Sequence, residues 1–235
     1  MVKTIEYLNL SALAYADFKK SDTGLTLDEI IRDEQKNKSR KNFNLSDPQL
    51  FALQDSSNSL RSFVLLSQSP LTYTRTVKDR NGIRTITVEN EFSCIALQNP
   101  ETKEIIFAFR GTNNFGDWDT DELIGSRVFP ADWMGQFAAA RKFVFQTLNQ
   151  YGPICYNDQK AMFKAIGQGS NVSFTGHSLG GALAQYMTYK TAKLDKGDAG
   201  IKSVTFDAVG IGDNVGLSSI DADKYNSTDH VNSLD

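Results

Sequence analysis

The sequence predicts an α/β fold, and three observations carry that prediction. The chain has 235 residues, 40% of them hydrophobic and 23% charged, a composition that supports a sizeable core and is far from that of a disordered chain. The first seventy residues read as helix and loop, and the hydrophobic pattern changes to a period of two from Leu71. Beyond residue 130, helical and extended patterns alternate. Coming after an antiparallel start, that alternation implies a mixed, mostly parallel sheet with helices on both faces, preceded by an N-terminal helical segment.

Each element has a local reason. Residues 4–18 place Leu8, Ala12 and Tyr15 on one helical face. Thr26, followed three residues later by Glu29, is a capping box that opens a helix over 27–32. Residues 33–44 are polar and basic and predict a solvated loop. Asp47-Pro48 places an N-cap before a proline at the first helical position, opening a short helix through Leu53. Residues 72–78 and 83–88 alternate around Asn81-Gly82, a strong hairpin signal. Residues 92–98 and 104–109 form a second strand pair across Asn99-Pro100. Trp133, Phe137, Ala140, Val144, Leu148 and Tyr151 line one face of a helix closed by Gly152-Pro153. Met162, Phe163 and Ile166 predict another short helix, residues 172–175 a strand, 179–194 a helix and 201–206 an apolar strand. No linker rich in Pro, Gly or Ser and no internal repeat divides the chain. Residues 1–235 are therefore expected to form a single domain, with 1–70 as a helical covering and 71–235 as the core.

Composition also excludes function classes. Twenty-five Lys and Arg against 28 Asp and Glu give a net charge of −3, which offers no basic field for nucleic acid. No apolar run is long enough for a transmembrane segment. Two cysteines, Cys94 and Cys155, and two histidines, His177 and His230, are too few for a disulfide framework or a His- or Cys-rich metal centre, so neither metal nor cofactor is expected. Cys94 lies within a strand and reads as a buried small hydrophobe. Ala14-Tyr15-Ala16 mimics a signal-peptidase site, but Glu6, Asn9 and Ser11 interrupt the stretch that should be apolar. The expectation is a cytoplasmic protein or one exported by a route other than a cleaved signal peptide.

Gly176-His177-Ser178-Leu179-Gly180 matches the nucleophile elbow G-x-S-x-G, with a strand leading in and a helix leading out. Such a turn forces Ser178 into a strained backbone conformation and lifts its hydroxyl above the sheet, while Gly176 and Gly180 remove side chains where strand and helix approach. A second element, residues 105–109 followed by Arg110-Gly111-Thr112, is a buried strand ending in a polar turn. Ester hydrolysis through a tetrahedral intermediate needs two donors aimed at its oxyanion. The N–H of Leu179, immediately after the serine, is one, and Thr112 offers a second N–H and a hydroxyl.

These residues carry a resemblance. Phe109-Arg110-Gly111-Thr112, then Asp117-Trp118 and Asp121, then residues 176–184 resemble the class 3 lipase family, which includes fungal triacylglycerol lipases and plant phospholipases A1. The match covers residues 92–235, and Leu10 to Tyr15 is similar to a stretch in some bacterial members. The resemblance implies the α/β-hydrolase fold and a lipid or acyl-ester substrate, met at a membrane or droplet interface. It also implies Ser178 as nucleophile, with Thr112 and Leu179 as oxyanion donors. Val231-Asn232-Ser233-Leu234-Asp235 fits the family's Val-Asn-x-x-Asp pattern and implies Asp235 as the acid, ahead of Asp213 and Asp207; Asp207 departs from a glycine-containing loop. Residues 122–131 fall where the family carries its lid, an apolar flap suited to acyl chains. Arg110 is expected to be held by Asp121.

The triad histidine is missing. In this fold it follows the acid, and no histidine follows Asp235. His177 is expected beneath the elbow in a structural role, and His230 lies on the wrong side of the acid. The leading reading is a lipase-like ester hydrolase working through an acyl-Ser178 intermediate, with these residues as the leading part of a longer enzyme. The alternative is a degenerate, noncatalytic module that binds an acyl ligand or a protein.

Overall fold

The structure is a computed structural model that describes residues 2–37, 51–69, 72–79, 82–89, 92–111, 131–169, 171–194, 202–208, 210–211 and 227–231. Six strands form the main sheet: β1 (Val64–Gln68), β4 (Cys94–Gln98), β5 (Ile105–Phe109), β6 (Val172–His177), β7 (Lys202–Phe206) and β8 (Ser227–His230), adjacent in that order. β1, β4 and β5 pair antiparallel, and β5 through β8 run parallel. β2 (Thr72–Asp79) and β3 (Gly82–Glu89) form the separate hairpin that Asn81-Gly82 predicts.

The central strands alternate between two cores. On β5, Ile105, Phe107 and Phe109 face α3 (Ala131–Tyr151), α4 (Gln159–Gly167) and α5 (Leu179–Leu194). Ile106 and Ala108 face the opposite core, with Tyr7, Leu10 and Leu13 of α1 (Thr4–Leu13) and Leu27, Ile30 and Ile31 of α2 (Leu27–Asn37). Period-two strands covered by helices on both faces give the layered α/β architecture. Phe137, Ala140, Val144 and Leu148 are all buried on α3, as the sequence pattern requires. The Thr26–Glu29 box caps α2 from both sides: the Glu29 carboxylate accepts the Thr26 N–H at 2.8 Å, and the Thr26 hydroxyl accepts the Glu29 N–H at 3.2 Å.

Four expectations change. α2 continues to Asn37, into the stretch read as a loop. Residues 51–54 form a 3₁₀ turn where the short helix through Leu53 was expected. β1 lies within the segment read as helix and loop; it is five residues long, bulged between Leu65 and Ser67, and so shows no strict alternation. The inward face of α1 is also different, because Leu8 is 40% exposed while Tyr7, Leu10 and Leu13 are buried. A polar anchor fixes that rotation: the Tyr7 hydroxyl donates to Glu104 Oε1 at 2.9 Å, and the Ser173 hydroxyl donates to the same oxygen at 2.7 Å. α1 is thereby tied to the starts of β5 and β6.

Candidate active site

The elbow is where β6 ends and α5 begins. Ser178 sits between them at φ +56°, in the left-handed region that a side chain rarely occupies. Two bonds hold it there: its N–H donates to the Phe206 carbonyl at 3.0 Å, and its own carbonyl accepts the Ala182 N–H at 3.1 Å. Glycines make the turn sterically possible. A Cβ on Gly176 would lie 2.3 Å from the Gly180 carbonyl oxygen, and one on Gly180 would lie 2.1 Å from the Phe109 carbonyl oxygen. The first turn of α5 therefore rests on the end of β5. Ser178 is nearly covered at 5% exposure, and Leu179 is buried.

The turn after β5 meets the same elbow. The Arg110 N–H donates to the Ser93 carbonyl at 2.9 Å, and the next amide, on Gly111, donates to the Tyr15 hydroxyl at 3.0 Å. Gly111 packs so closely that a Cβ there would lie 2.6 Å from the Tyr15 hydroxyl, 2.9 Å from the His177 carbonyl oxygen and 3.5 Å from the Leu179 nitrogen. The end of the β5 strand and the amide that follows Ser178 are thus brought together. Thr112, Asp235, the candidate acid Asp213, the partner Asp121 and residues 122–130 lie outside the described residues. Arg110 is half-buried, and burial draws its guanidinium below the ordinary arginine value. Its buried Nε has no hydrogen-bond partner among the described residues.

The two histidines make other contacts. The His177 side chain is 43% exposed, with Nε2 3.8 Å from Asp207 Oδ2 and Nδ1 3.5 Å from the Tyr15 hydroxyl. His230 is exposed on β8, its ring stacked on Phe206 at 5.5 Å and 20°. No hydrogen bond joins either imidazole to the Ser178 hydroxyl among the described residues. Asp207 has φ +46°, which explains the glycine of the resembled loop, and its N–H donates to the His230 carbonyl at 2.9 Å. Cys94 is buried and Cys155 exposed, and both are free thiols. Burial pushes the Cys94 thiol well above its ordinary value.

Tyr15 is the residue that sequence reasoning misplaced, as one more apolar position on a helical face. The only local signal was its place at the end of the Leu10 to Tyr15 stretch.

A mixed sheet covered by helices on both faces, with a left-handed serine on the strand-to-helix turn, defines an α/β-hydrolase. The chain belongs to the class 3 lipase family, whose model matches residues 106–235. It is accordingly a hydrolase of lipase type. Among solved structures it is similar to a fungal lipase, at 12% identity and a TM-score of 0.50 over 96% of this chain and 68% of that one. The Penicillium cyclopium protein MDLA, in a variant form, gives the same values. The M37 lipase aligns over all of this chain and 68% of its own, at 18% identity and a TM-score of 0.50. No curated protein matches the chain. Among the described residues, no helix is long and apolar enough to cross a membrane, and no group of three or more His, Cys, Asp or Glu is placed to hold a metal.

Proposed function

We propose that this protein hydrolyses lipid esters through a covalent acyl-Ser178 intermediate. The Ser178 oxygen attacks the ester carbonyl carbon, and its proton passes to an imidazole held by Asp235. The N–H groups of Leu179 and Thr112, with the Thr112 hydroxyl, receive the oxyanion. The imidazole then protonates the leaving alcohol, and water releases the acyl group by the same sequence. The observation that carries this reading is the left-handed Ser178, seated where three glycine contacts bring β5, β6 and α5 together. Neither histidine of these 235 residues is assigned as the base. The same reading treats residues 1–235 as one domain, supported by the anchoring of α1 to β5 and β6.

A second reading, a noncatalytic acyl-binding or protein-binding module, is favoured by one observation: both described imidazoles are engaged elsewhere. Hydrolysis of p-nitrophenyl acyl esters separates the two. The chain is expected to show only a residual rate, on the order of 10³ over water as in serine hydrolases lacking a triad member. That rate, which comes from oxyanion binding and not from the triad, should persist in Ser178→Ala, and free imidazole should raise it only where Ser178 is present. Imidazole-stimulated turnover equal in Ser178→Ala removes the acyl-serine mechanism. Acyl-ligand binding with no turnover, even with imidazole, selects the module.

A further inference from the structure

Past the end of α1, one hydroxyl meets the elbow. Tyr15 lies two residues beyond Leu13, held by its own N–H on the Ala12 carbonyl at 3.0 Å. Its ring stands against the His177 ring, with centroids 6.5 Å apart, and burial raises its pKa above the ordinary tyrosine value. The hydroxyl oxygen accepts the Gly111 N–H at 3.0 Å and lies 3.5 Å from His177 Nδ1. The Gly111 amide donates to the Tyr15 hydroxyl, which lies beside His177 Nδ1, while His177 Nε2 faces Asp207.

Gly111 depends on this contact. β5 ends at Phe109, the Arg110 amide bonds Ser93, and the Gly111 amide is therefore beyond strand pairing in a buried position. An unpaired buried amide is unfavourable, so the hydroxyl and not the ring decides where Gly111 sits. We propose that Tyr15 is a positioning residue for ester hydrolysis: its hydroxyl fixes the Gly111 amide against the elbow and so sets the distance between the turn after β5 and the oxyanion donor on Leu179. This rests on the acyl-Ser178 reading given above. The site of Gly111 lies against the Leu179 nitrogen, and a misplacement of about 1 Å in such a constellation can lower a rate by roughly 10²-fold. Tyr15 acts only through Gly111. The N-terminal segment is then part of the reacting apparatus and not only a cover for the sheet.

α1 supplies its own control. Tyr7 anchors the same helix through Glu104 and Ser173, at the opposite end of β5 and β6 from Gly111. The test uses the whole chain with Tyr15→Phe, which removes only the hydroxyl, and Tyr7→Phe, which loosens the helix away from the site. Amide exchange followed by NMR is expected to quicken at Gly111 by about tenfold in Tyr15→Phe, the equivalent of one ordinary hydrogen bond, relative to the β5 amides. Tyr7→Phe should not single out Gly111. On p-nitrophenyl esters, Tyr15→Phe should lower kcat by roughly tenfold or more with KM within about twofold, while Tyr7→Phe leaves kcat unchanged. Unaltered Gly111 exchange in Tyr15→Phe overturns the proposal, as does faster exchange with an unaltered kcat. Imidazole-stimulated turnover that is equal in Ser178→Ala overturns the acyl-serine reading instead, and Gly111 exchange, independent of turnover, still decides whether Tyr15 holds the turn.

Discussion

The elbow and the β8 edge belong to one sheet and are built from opposite materials. At the elbow, backbone meets backbone: glycines at 176 and 180 admit contacts that a methyl group would block, and Ser178 is nearly covered. β8 is Ser-Thr-Asp-His, half to fully exposed, and its polar side chains tie it to β7. The Ser203 and Ser227 hydroxyls meet at 2.7 Å, and the Thr205 hydroxyl donates to Asp229 Oδ1 at 2.8 Å. Val231, at the end of that strand, is 71% exposed. The position proposed for the nucleophile is thus fixed by close packing, which fails abruptly when volume changes. The strand leading toward Asp235 is held by contacts exchangeable with water, each worth little.

The largest expected effect comes from adding one methyl group at the elbow. In Gly180→Ala the new Cβ would lie 2.1 Å from the Phe109 carbonyl oxygen, a backbone atom that cannot rotate away. Either α5 or the end of β5 must move, and a loss of about 3 kcal/mol or more is expected. Thr228→Ala on β8 is expected to stay within about 1 kcal/mol. Urea unfolding midpoints of the two variants measure the contrast. Similar midpoints would show that the elbow is no more tightly determined than the edge.

Alkaline pH probes a third region, the buried anchor of α1, without a change of volume. Burial raises the Tyr7 pKa above the ordinary value, the Ser173 hydrogen bond opposes this, and the Glu104 carboxylate adds to it. The unfolded chain releases that proton near pH 10, whereas the folded chain keeps it. Stability is therefore fully present below about pH 10 and falls as the pH rises toward the folded value. Tyr15 shifts in the same direction, again chiefly through burial. Tyr7→Phe should be less stable than wild type near neutrality and should lose less on passing about pH 10. Equal slopes of urea midpoint against pH would mean that Tyr7 is not the group responsible.

The backbone strain at Ser178 sets a smaller effect. A left-handed residue with a side chain costs on the order of 1 kcal/mol, which glycine relieves. Ser178→Gly should therefore be more stable than Ser178→Ala by about 1 kcal/mol, both variants lacking the hydroxyl. If alanine is equally stable, the turn is not strained and the positive φ is no sign of a functional compromise.

What the sequence made legible was local. The hairpin at Asn81-Gly82, the cap at Thr26 and the helix over 179–194 follow from signals a few residues long, and each lies where its signal puts it. The α/β order of elements follows from their sum. Rotation of α1 was not legible, because Tyr7 turns inward for Glu104 and Ser173, 97 and 166 residues away. Tyr15 was misread for the same reason: its partners Gly111 and His177 lie 96 and 162 residues along the chain. β1 had no alternation to display because its bulge breaks the period. At the site, the elbow was legible as a motif, whereas the contact of His177 with Tyr15 joins residues 162 positions apart.

The smallest expected effect is at the exposed edge, and it bears most directly on whether His230 is the base. His230 stacks on Phe206, and its backbone carbonyl accepts the Asp207 N–H. Alanine keeps the carbonyl and loses only the ring, an exposed stack worth about 0.5–1 kcal/mol. Phe206 is nearly buried and belongs to the α1-side core, so its packing survives. A base must come within hydrogen-bond reach of the proton it takes, directly or through one water. The His230 ring instead lies against the outer strands, separated from β6 by β7. His230→Ala is therefore expected to leave ester turnover unchanged and to move the urea midpoint only slightly. Turnover that falls as far in His230→Ala as in Ser178→Ala would make His230 the base. The imidazole would then come from β8 itself, and the exposed edge, not the packed elbow, would be the part of the molecule that moves during reaction.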